Sequence, residues 1–338
     1  MPQGYNLSFN GTGSTMQAVA IAHPNVALIK YWGKRAAAGN LPATGSLSLV
    51  LGGLATETMV RFEAGRQGDS VLLDDHEDVE TSARVSACLD ILRGEAGIHD
   101  GAVVESRNDF PTGAGLASSA SGFAALVIAA AGALSLRLPA ARLAEIARIG
   151  SGSAARSLAG GIVLLKNQAA TTVCTQVSAP ADWPLEIVVA ITATGQKAIS
   201  SRQGMALSEQ TSPYYPAWVA SHAADLDAGL AAVQARDFAA LAKLAEHNCL
   251  KMHAVMLSTR PPLIYWTPAT LACLQRVREL RAAGVPVFFT IDAGPQLKAV
   301  CLPEAASEVA AALTAIDGVR SVLRSPLGAG ARLRAAGD

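Results

Sequence analysis

Between Asn108 and Gly122 the chain reads N-D-F-P-T-G-A-G-L-A-S-S-A-S-G, and a run dominated by Ala, Leu, Val and Ile continues from Phe123 to Leu136. A glycine-rich turn that opens straight into a helix leaves the first backbone N–H groups without intrahelical partners, and such groups attract anions. Ser118, Ser119 and Ser121 add hydroxyls where they can bond a phosphate or a metal beside it, and no Asp or Glu occurs from Phe110 to Ala144. The stretch therefore reads as a phosphate loop. The same residues also suit a plain glycine-rich turn ahead of a buried helix. Two familiar phosphate motifs fail. No lysine follows Gly115 or Gly122 as a P-loop requires, and the acid-free window lacks the ribose-binding carboxylate of a dinucleotide fold.

Charge elsewhere is distributed in a way that its sum hides. The 338 residues carry 27 basic and 27 acidic side chains, so no bulk attraction to nucleic acid or to an acidic membrane is expected. Yet no acid precedes Glu57, where Lys30, Lys34 and Arg35 lie, and none falls between Glu145 and Asp182, which enclose Arg148, Arg156 and Lys166. Lys197 and Arg202 form a third basic island. Three acid-poor, cation-bearing segments together with a phosphate loop suggest one cavity for a highly anionic small ligand. Acids crowd instead into 57–109, and Leu73 to Glu80 reads as a solvated surface turn.

This length suits one large or two medium domains. Five cysteines, odd in number and widely spaced, argue against a disulfide framework or a zinc site and for a reducing cytoplasm. The first residues lack the charge and apolar core of a signal peptide, so residues 1–17 are expected to form a flexible leader. Phe110 to Leu136 is uncharged, but proline, glycines and serines fill its first half and leave too little to span a bilayer.

Along the chain, Ala18 to Ile29 reads as a strand interrupted by His-Pro-Asn, and Leu47–Leu51 and Thr56–Phe62 read as two more around a Gly52-Gly53 turn. Ser82–Arg93 and Arg142–Ile149 have helical spacing, and Gly150 to Gly161 is a Gly/Ser loop around Arg156 that runs into a strand at Ile162–Leu165. Leu185–Thr192 reads as a strand, Lys197–Met205 as a loop pairing two serines with two cations. Helices are expected over Asp225–Ala235, Phe238–Met256, Thr270–Ala283 and Ala305–Ala315, with strands at Val287–Ile291, Lys298–Leu302 and Val319–Arg324. Asp292 follows the largely apolar V-F-F-T-I and precedes Ala-Gly-Pro. It suits a turn cap or a carboxylate at a cavity mouth, and local pattern favours the cap.

Taken together, A-H-P-N-V-A-L-I-K-Y-W-G-K-R, L-P-A-T-G-S-L-S-L, the 108–122 stretch, S-G-S-A-A-R-S-L-A-G-G, S-S-R-Q-G-M, M-H-A and F-F-T-I-D-A-G-P resemble the mevalonate diphosphate decarboxylases of the GHMP kinase superfamily, from about Ala22 to Leu302. The resemblance implies an α+β, two-domain GHMP kinase fold, with a ribosomal S5 domain 2-like N-terminal domain over 18–192 and a ferredoxin-like C-terminal domain over 193–338. It implies a homodimer that uses ATP and Mg²⁺ to phosphorylate a tertiary 3-hydroxyl, then eliminates phosphate and CO₂ to give isopentenyl diphosphate. The implied substrate is mevalonate 5-diphosphate, with a 5-phosphate decarboxylase or a GHMP kinase that does not decarboxylate as alternatives.

By the same resemblance Asp292 orients or deprotonates the hydroxyl, Arg156 holds the carboxylate, and Lys30 and Asn25 support the phosphoryl corner. Tyr31, Lys34, Ser151, Gly152, Ser153, Ser201, Arg202 and Met205 match substrate positions. Asn108, Gly113, Gly115, Leu116, Ser118 and Ser119 match the ATP loop, with Ser118 as the one candidate beside Mg²⁺. Admitting the pattern moves Asp292 from cap to catalytic residue. Thr44-Gly45 replaces a frequent Asn-Ser pair, Ala36 a common acid, and Gln296 the usual Asn, which unsettles the fit to nucleotide or substrate.

Overall fold

A computed structural model describes residues 16–36, 40–110, 118–168, 171–195 and 197–335. The N-terminal half contains β1 (Gln17–Ala22), β2 (Asn25–Ile29), β3 (Lys34–Ala36), β4 (Leu41–Pro42), β5 (Ser46–Val50), β6 (Thr56–Phe62) and β7 (Ser70–Leu73). These are followed by α1 (Val79–Ala96), β8 (Ala102–Asn108), α2 (Ser118–Ala133), α3 (Ala140–Gly150), α4 (Ala154–Ser157), β9 (Ile162–Gln168) and β10 (Thr171–Ser178). One sheet runs β7-β8-β6-β1 and a second β10-β9-β5-β2, while β3 and β4 make a separate short ladder. The C-terminal half adds β11 (Glu186–Ile191), α5 (Ser201–Thr211), α6 (Tyr215–Ala235), α7 (Phe238–Leu257), α8 (Pro268–Ala282), β12 (Val287–Ile291), β13 (Leu297–Cys301), α9 (Ala306–Thr314), β14 (Ser321–Pro326) and β15 (Arg332–Leu333). Its sheet runs β12-β13-β11-β14, all antiparallel, and β15 returns to the outer side of β1.

Strand alternation decides what reaches the cleft. On β5, Leu47 and Leu49 enter an apolar core while Ser46 and Ser48 occupy the opposite face, as a period of two requires. On β2, Val26 and Leu28 join the same core, which leaves Asn25 and Ala27 on the cavity wall. That core is shared between the halves, since Ile187, Val189, Phe288 and Val300 of the C-terminal sheet belong to it. The other face of that sheet packs Val188, Phe289, Leu297 and Ala299 against Cys273 and Val277 of α8 and Val309 and Leu313 of α9. Helix α2 has no charged residue and buries most of its circumference against β1 and β6, with Phe123, Leu126 and Val127 in a third core. Its expected burial is observed, and no helix among the described residues is long and apolar enough to cross a membrane.

Several expectations change. His23-Pro24 does not interrupt one strand but passes the chain from one sheet to another, since β1 pairs with β6 and β2 with β5. Glu186–Ile191 pairs with β13 and β14, so β11 forms part of the C-terminal sheet. The expected leader lies outside the described residues as far as residue 15, and Gln17 already opens β1. Of the expected 197–205 loop, residues 201–205 are the start of α5. There the Ser200 side chain accepts from the Gln203 N–H and the Gln203 side chain reaches back, a capping box that starts a helix without an apolar stripe.

Candidate active site

The site is assembled where β2 ends. After Ile29 the Lys30 N–H donates to Asn248 Oδ1 of α7 at 2.7 Å, so a helix side chain fixes the backbone of the lysine. Asn248 donates in turn to Asp225 at 2.7 Å, which also receives Lys251 at 2.7 Å. The Lys30 side chain is buried and its Nζ meets Asp292 Oδ1 at 2.6 Å. A second buried lysine, Lys298 of β13, approaches Asp292 Oδ2 at 3.3 Å. Burial by itself raises the Asp292 pKa, but the charges and hydrogen bonds of Lys30 and Lys298 outweigh it and hold the carboxyl well below the usual range. The carboxylate stays 29 % exposed toward the cavity.

Arg156, buried on α4, donates from Nε to Asn25 Oδ1 at 2.9 Å and from Nη1 to Ser46 Oγ at 2.8 Å. Asn25 is locked by donating to Ser157 Oγ at 2.8 Å and to the Ser153 carbonyl at 3.3 Å. The guanidinium also lies 5.6 Å from the centre of the Tyr31 ring. Burial pushes the Tyr31 phenol up to about 12, and its hydroxyl is buried without a hydrogen-bond partner among the described residues. Such a group costs about 1–3 kcal/mol unless something supplies the bond. Gly152 is small for a reason here, because a Cβ at that position would stand 2.6 Å from the Tyr31 hydroxyl. Gly33, at φ +104°, turns the chain so that Lys34 faces the same space, and a Cβ on it would collide with Tyr215.

Lys34 bonds Asn40 Oδ1 at 2.6 Å, and Asn40 donates to the carbonyls of Arg148 and Ile149 at 3.0 and 2.7 Å. Burial, then the charges of Arg202 and Arg84, lower the Lys34 pKa. Opposite, Ser119 and Ser151 hydroxyls stand 3.3 Å apart and Ser151 and Ser153 hydroxyls 3.1 Å apart. Lys197 donates to the Ala293 carbonyl and to Ser201 Oγ, and burial followed by repulsion from Lys298 pulls its pKa down to about 8. Arg202, at the start of α5, reaches Glu80 of α1 at 3.1 Å. Asn108 accepts from Thr56 at 2.6 Å, and its N–H and amide donate to Asp74 at 2.9 and 3.2 Å.

These groups surround one cavity of about 560 Å³, a size that admits a small molecule with several phosphates. Its described walls carry six cations (Lys30, Lys34, Arg84, Arg156, Lys197 and Arg202) against three carboxylates, Asp78, Glu80 and Asp292. Every expected site residue with a described position lies on that wall: Asn25, Lys30, Tyr31, Lys34, Asn108, Ser118, Ser119, Ser151, Gly152, Ser153, Arg156, Ser201, Arg202, Met205 and Asp292. Gly113, Gly115 and Leu116 lie outside the described residues. The basic islands are only partly in the site. Arg35 bonds the Thr171 carbonyl and Lys166 lies 3.5 Å from Asp227, both away from the wall. The 73–80 stretch is the solvated turn expected, exposed from Asp75 to Glu80, and it also lends Leu73, Asp78 and Glu80 to the cavity.

Gln296 does not touch the cavity. It is buried, accepting from the Thr192 N–H and donating to the Ala193 carbonyl, each at 2.6 Å, and so ties the D-A-G-P turn to the end of β11. Sequence reasoning missed Lys298, Arg84 and Asn248. A lone charge inside the apolar strand L-K-A-V-C was the available signal for Lys298, and nothing in a polar helical position marked Asn248.

Comparison with known proteins points one way. The profile of the diphosphomevalonate decarboxylase-like N-terminal domain matches residues 22–176, and that of the mevalonate 5-diphosphate decarboxylase C-terminal domain matches 187–323. The diphosphomevalonate decarboxylase mvd1 of Aspergillus fumigatus is 33 % identical over 326 residues, covering 89 % of this chain and 81 % of its own. The phosphomevalonate decarboxylase of Haloferax volcanii is also 33 % identical, over 82 % of this chain and 86 % of its own. Among solved structures, mevalonate diphosphate decarboxylase from Staphylococcus aureus superposes with a TM-score of 0.87 at 35 % identity, covering 94 % of this chain and 98 % of that one. The complex of MDDEF with MVAPP, AMPPCP and magnesium superposes with a TM-score of 0.87 at 36 % identity, covering 95 % and 99 %.

Proposed function

The chain belongs to the diphosphomevalonate decarboxylase family, and from that membership we propose that it converts mevalonate 5-diphosphate and ATP to isopentenyl diphosphate, ADP, phosphate and CO₂. One observation carries the reading: a carboxylate, Asp292, and a buried guanidinium, Arg156, face one cation-lined cavity that also takes in the start of α2. Asp292 accepts a hydrogen bond from the tertiary alcohol and aims its oxygen. Arg156, with Nε and Nη1 committed to Asn25 and Ser46, presents a fixed positive group to the substrate carboxylate. Phosphorylation makes the 3-oxygen a leaving group. As it departs, positive character grows on the tertiary carbon, and the carboxylate supplies electrons while CO₂ is lost. Lys30 and Lys197 offset charge near the transferred group, whereas Tyr31, Lys34, Ser151, Gly152, Ser153, Ser201, Arg202 and Met205 hold the 5-diphosphate end.

ATP and Mg²⁺ fit this wall. The first turn of α2 has no acid, and Ser118 and Ser119 line the cavity. When bound, ATP would bring the phosphoryl group and Mg²⁺ would neutralise its oxygens, with Asn108, Ser118 and Ser119 the described residues that would hold the nucleotide. The same reading includes a homodimer and a cytoplasmic location. Leu250 and Leu257, two turns apart on α7, are 44 % and 45 % exposed, and all five thiols are free.

The test supplies ATP and Mg²⁺ with mevalonate 5-diphosphate, mevalonate 5-phosphate or mevalonate and follows ADP and CO₂. Both products from the diphosphate alone support the proposal. CO₂ from the monophosphate alone makes the chain a relative in activity of the Haloferax protein, and ADP without CO₂ makes it a kinase.

A further inference from the structure

Asp292 is gripped from two directions, and only one grip comes from a residue on the cavity wall. Lys30 takes Oδ1 at 2.6 Å and lines the cavity; Lys298 takes Oδ2 at 3.3 Å from behind and does not line it. Lys298 sits in mid-strand, paired with Thr290 of β12 and Val189 of β11, on the sheet face that carries Phe288 and Val300 into the shared core. An ammonium on such a face loses its water, a cost that recurs unless a counter-charge meets it. Asp292 is a counter-charge that meets it.

We propose that Lys298 is a positioning residue for the reaction: by holding Oδ2 it fixes the plane of the Asp292 carboxylate and keeps it a hydrogen-bond acceptor that aims the alcohol, whose proton passes to an oxygen of the transferred phosphoryl group rather than staying on Asp292. This rests on the decarboxylase reading above. The groups facing Asp292 from each packed element are Lys30 after β2, Lys298 of β13, Lys197 of the β11–α5 segment, Arg156 of α4, and His253 and Cys249 of α7. Burial lowers the Lys298 pKa and the Asp292 carboxylate pushes it back up, so the pair holds its charges together. Burial, with repulsion from Lys30, pulls His253 down to about 3, so it stays neutral, and burial raises the Cys249 thiol. The low carboxyl pKa agrees with the geometry: a group held ionised by two lysines accepts a proton poorly but accepts a hydrogen bond well.

Two measurements test it. In the wild-type protein, ¹³C NMR of labelled aspartate, with the Asp292 resonance assigned through Asp292→Asn, should show this carboxyl still ionised at about pH 4, where an ordinary aspartate is half protonated. Titration near that ordinary value overturns the proposal without needing turnover, and so stands apart from any failure of the activity reading. In Lys298→Met, and in Lys298→Gln should the first not fold, the same resonance and the acid limb of kcat should move up by about one pH unit. In the same variants kcat should fall about tenfold, with KM for the diphosphate substrate changed less than about twofold. A lower Tm with an unmoved acid limb and unmoved resonance would show a structural filler and overturn the proposal.

Discussion

At Asp292 one carboxylate meets two opposed demands, since it faces water and substrate yet is bound to two buried lysines. The lysines win, so its value to the reaction is direction rather than basicity. Asp292→Asn is expected to bind ATP and substrate within about threefold of wild type while losing on the order of 10³-fold in kcat, measured by nucleotide titration and steady-state turnover. Lys197 gives a different pH signature. Its pKa lies near 8 in the free protein, so it carries its charge below that and loses it above. If the ammonium grips phosphate, kcat/KM should fall as pH rises through about 8, and Lys197→Arg, which keeps its proton, should flatten that limb. Lys30 and Arg156 stood out in the sequence as charges isolated among glycines or apolar residues, whereas Asp292 read locally as a turn cap and only the family resemblance moved it to the site. Lys298 did not stand out, because five strand residues give too short a pattern to say which face a charge occupies.

At the scale of elements, the site depends on helices that supply little of its described wall, α7 giving Met252 alone and α6 none. Helix α7 holds the Lys30 backbone through Asn248, and α6 supports Asn248 through Asp225. Asn248→Leu fills the same space but leaves the buried Lys30 N–H unpaired. It should cost about 1–3 kcal/mol in urea denaturation and lower kcat more than KM, since it moves a lysine rather than removing one. A variant that matches wild type in both would show that the strand end needs no such anchor. Strands β5, β6 and β12 and helices α2, α3, α7 and α8 were readable from periodicity and caps. Helix α5 was not, since its buried positions, Gly204, Met205 and Ser208, make no apolar stripe, and its start is written in a Ser200–Gln203 exchange of hydrogen bonds. The switch at His23-Pro24 was equally hidden, because two extended segments in different sheets look like one strand with a break.

For the whole molecule, the unequal spread of charge was the most informative feature of the sequence. Segments from 25–34, 151–156 and 197–202 meet around one cavity because the shared core of Leu47, Ile187 and Phe288 fixes the two halves together. Partners of the fold are less legible, since exposed apolar residues such as Val219, Leu250 and Leu257 stand out only after folding. Light scattering after gel filtration should give about twice the 34.6 kDa chain mass, and Leu250→Glu with Leu257→Glu should return it to one chain. The central claim, that one pocket phosphorylates and then decarboxylates, is tested most directly in a single turnover with enzyme in excess over mevalonate 5-diphosphate and saturating ATP and Mg²⁺. The account predicts that ADP, phosphate and CO₂ form in equal amounts and that Asp292→Asn makes almost none of them. Accumulation of ADP with no matching CO₂, or undiminished products from Asp292→Asn, would contradict it.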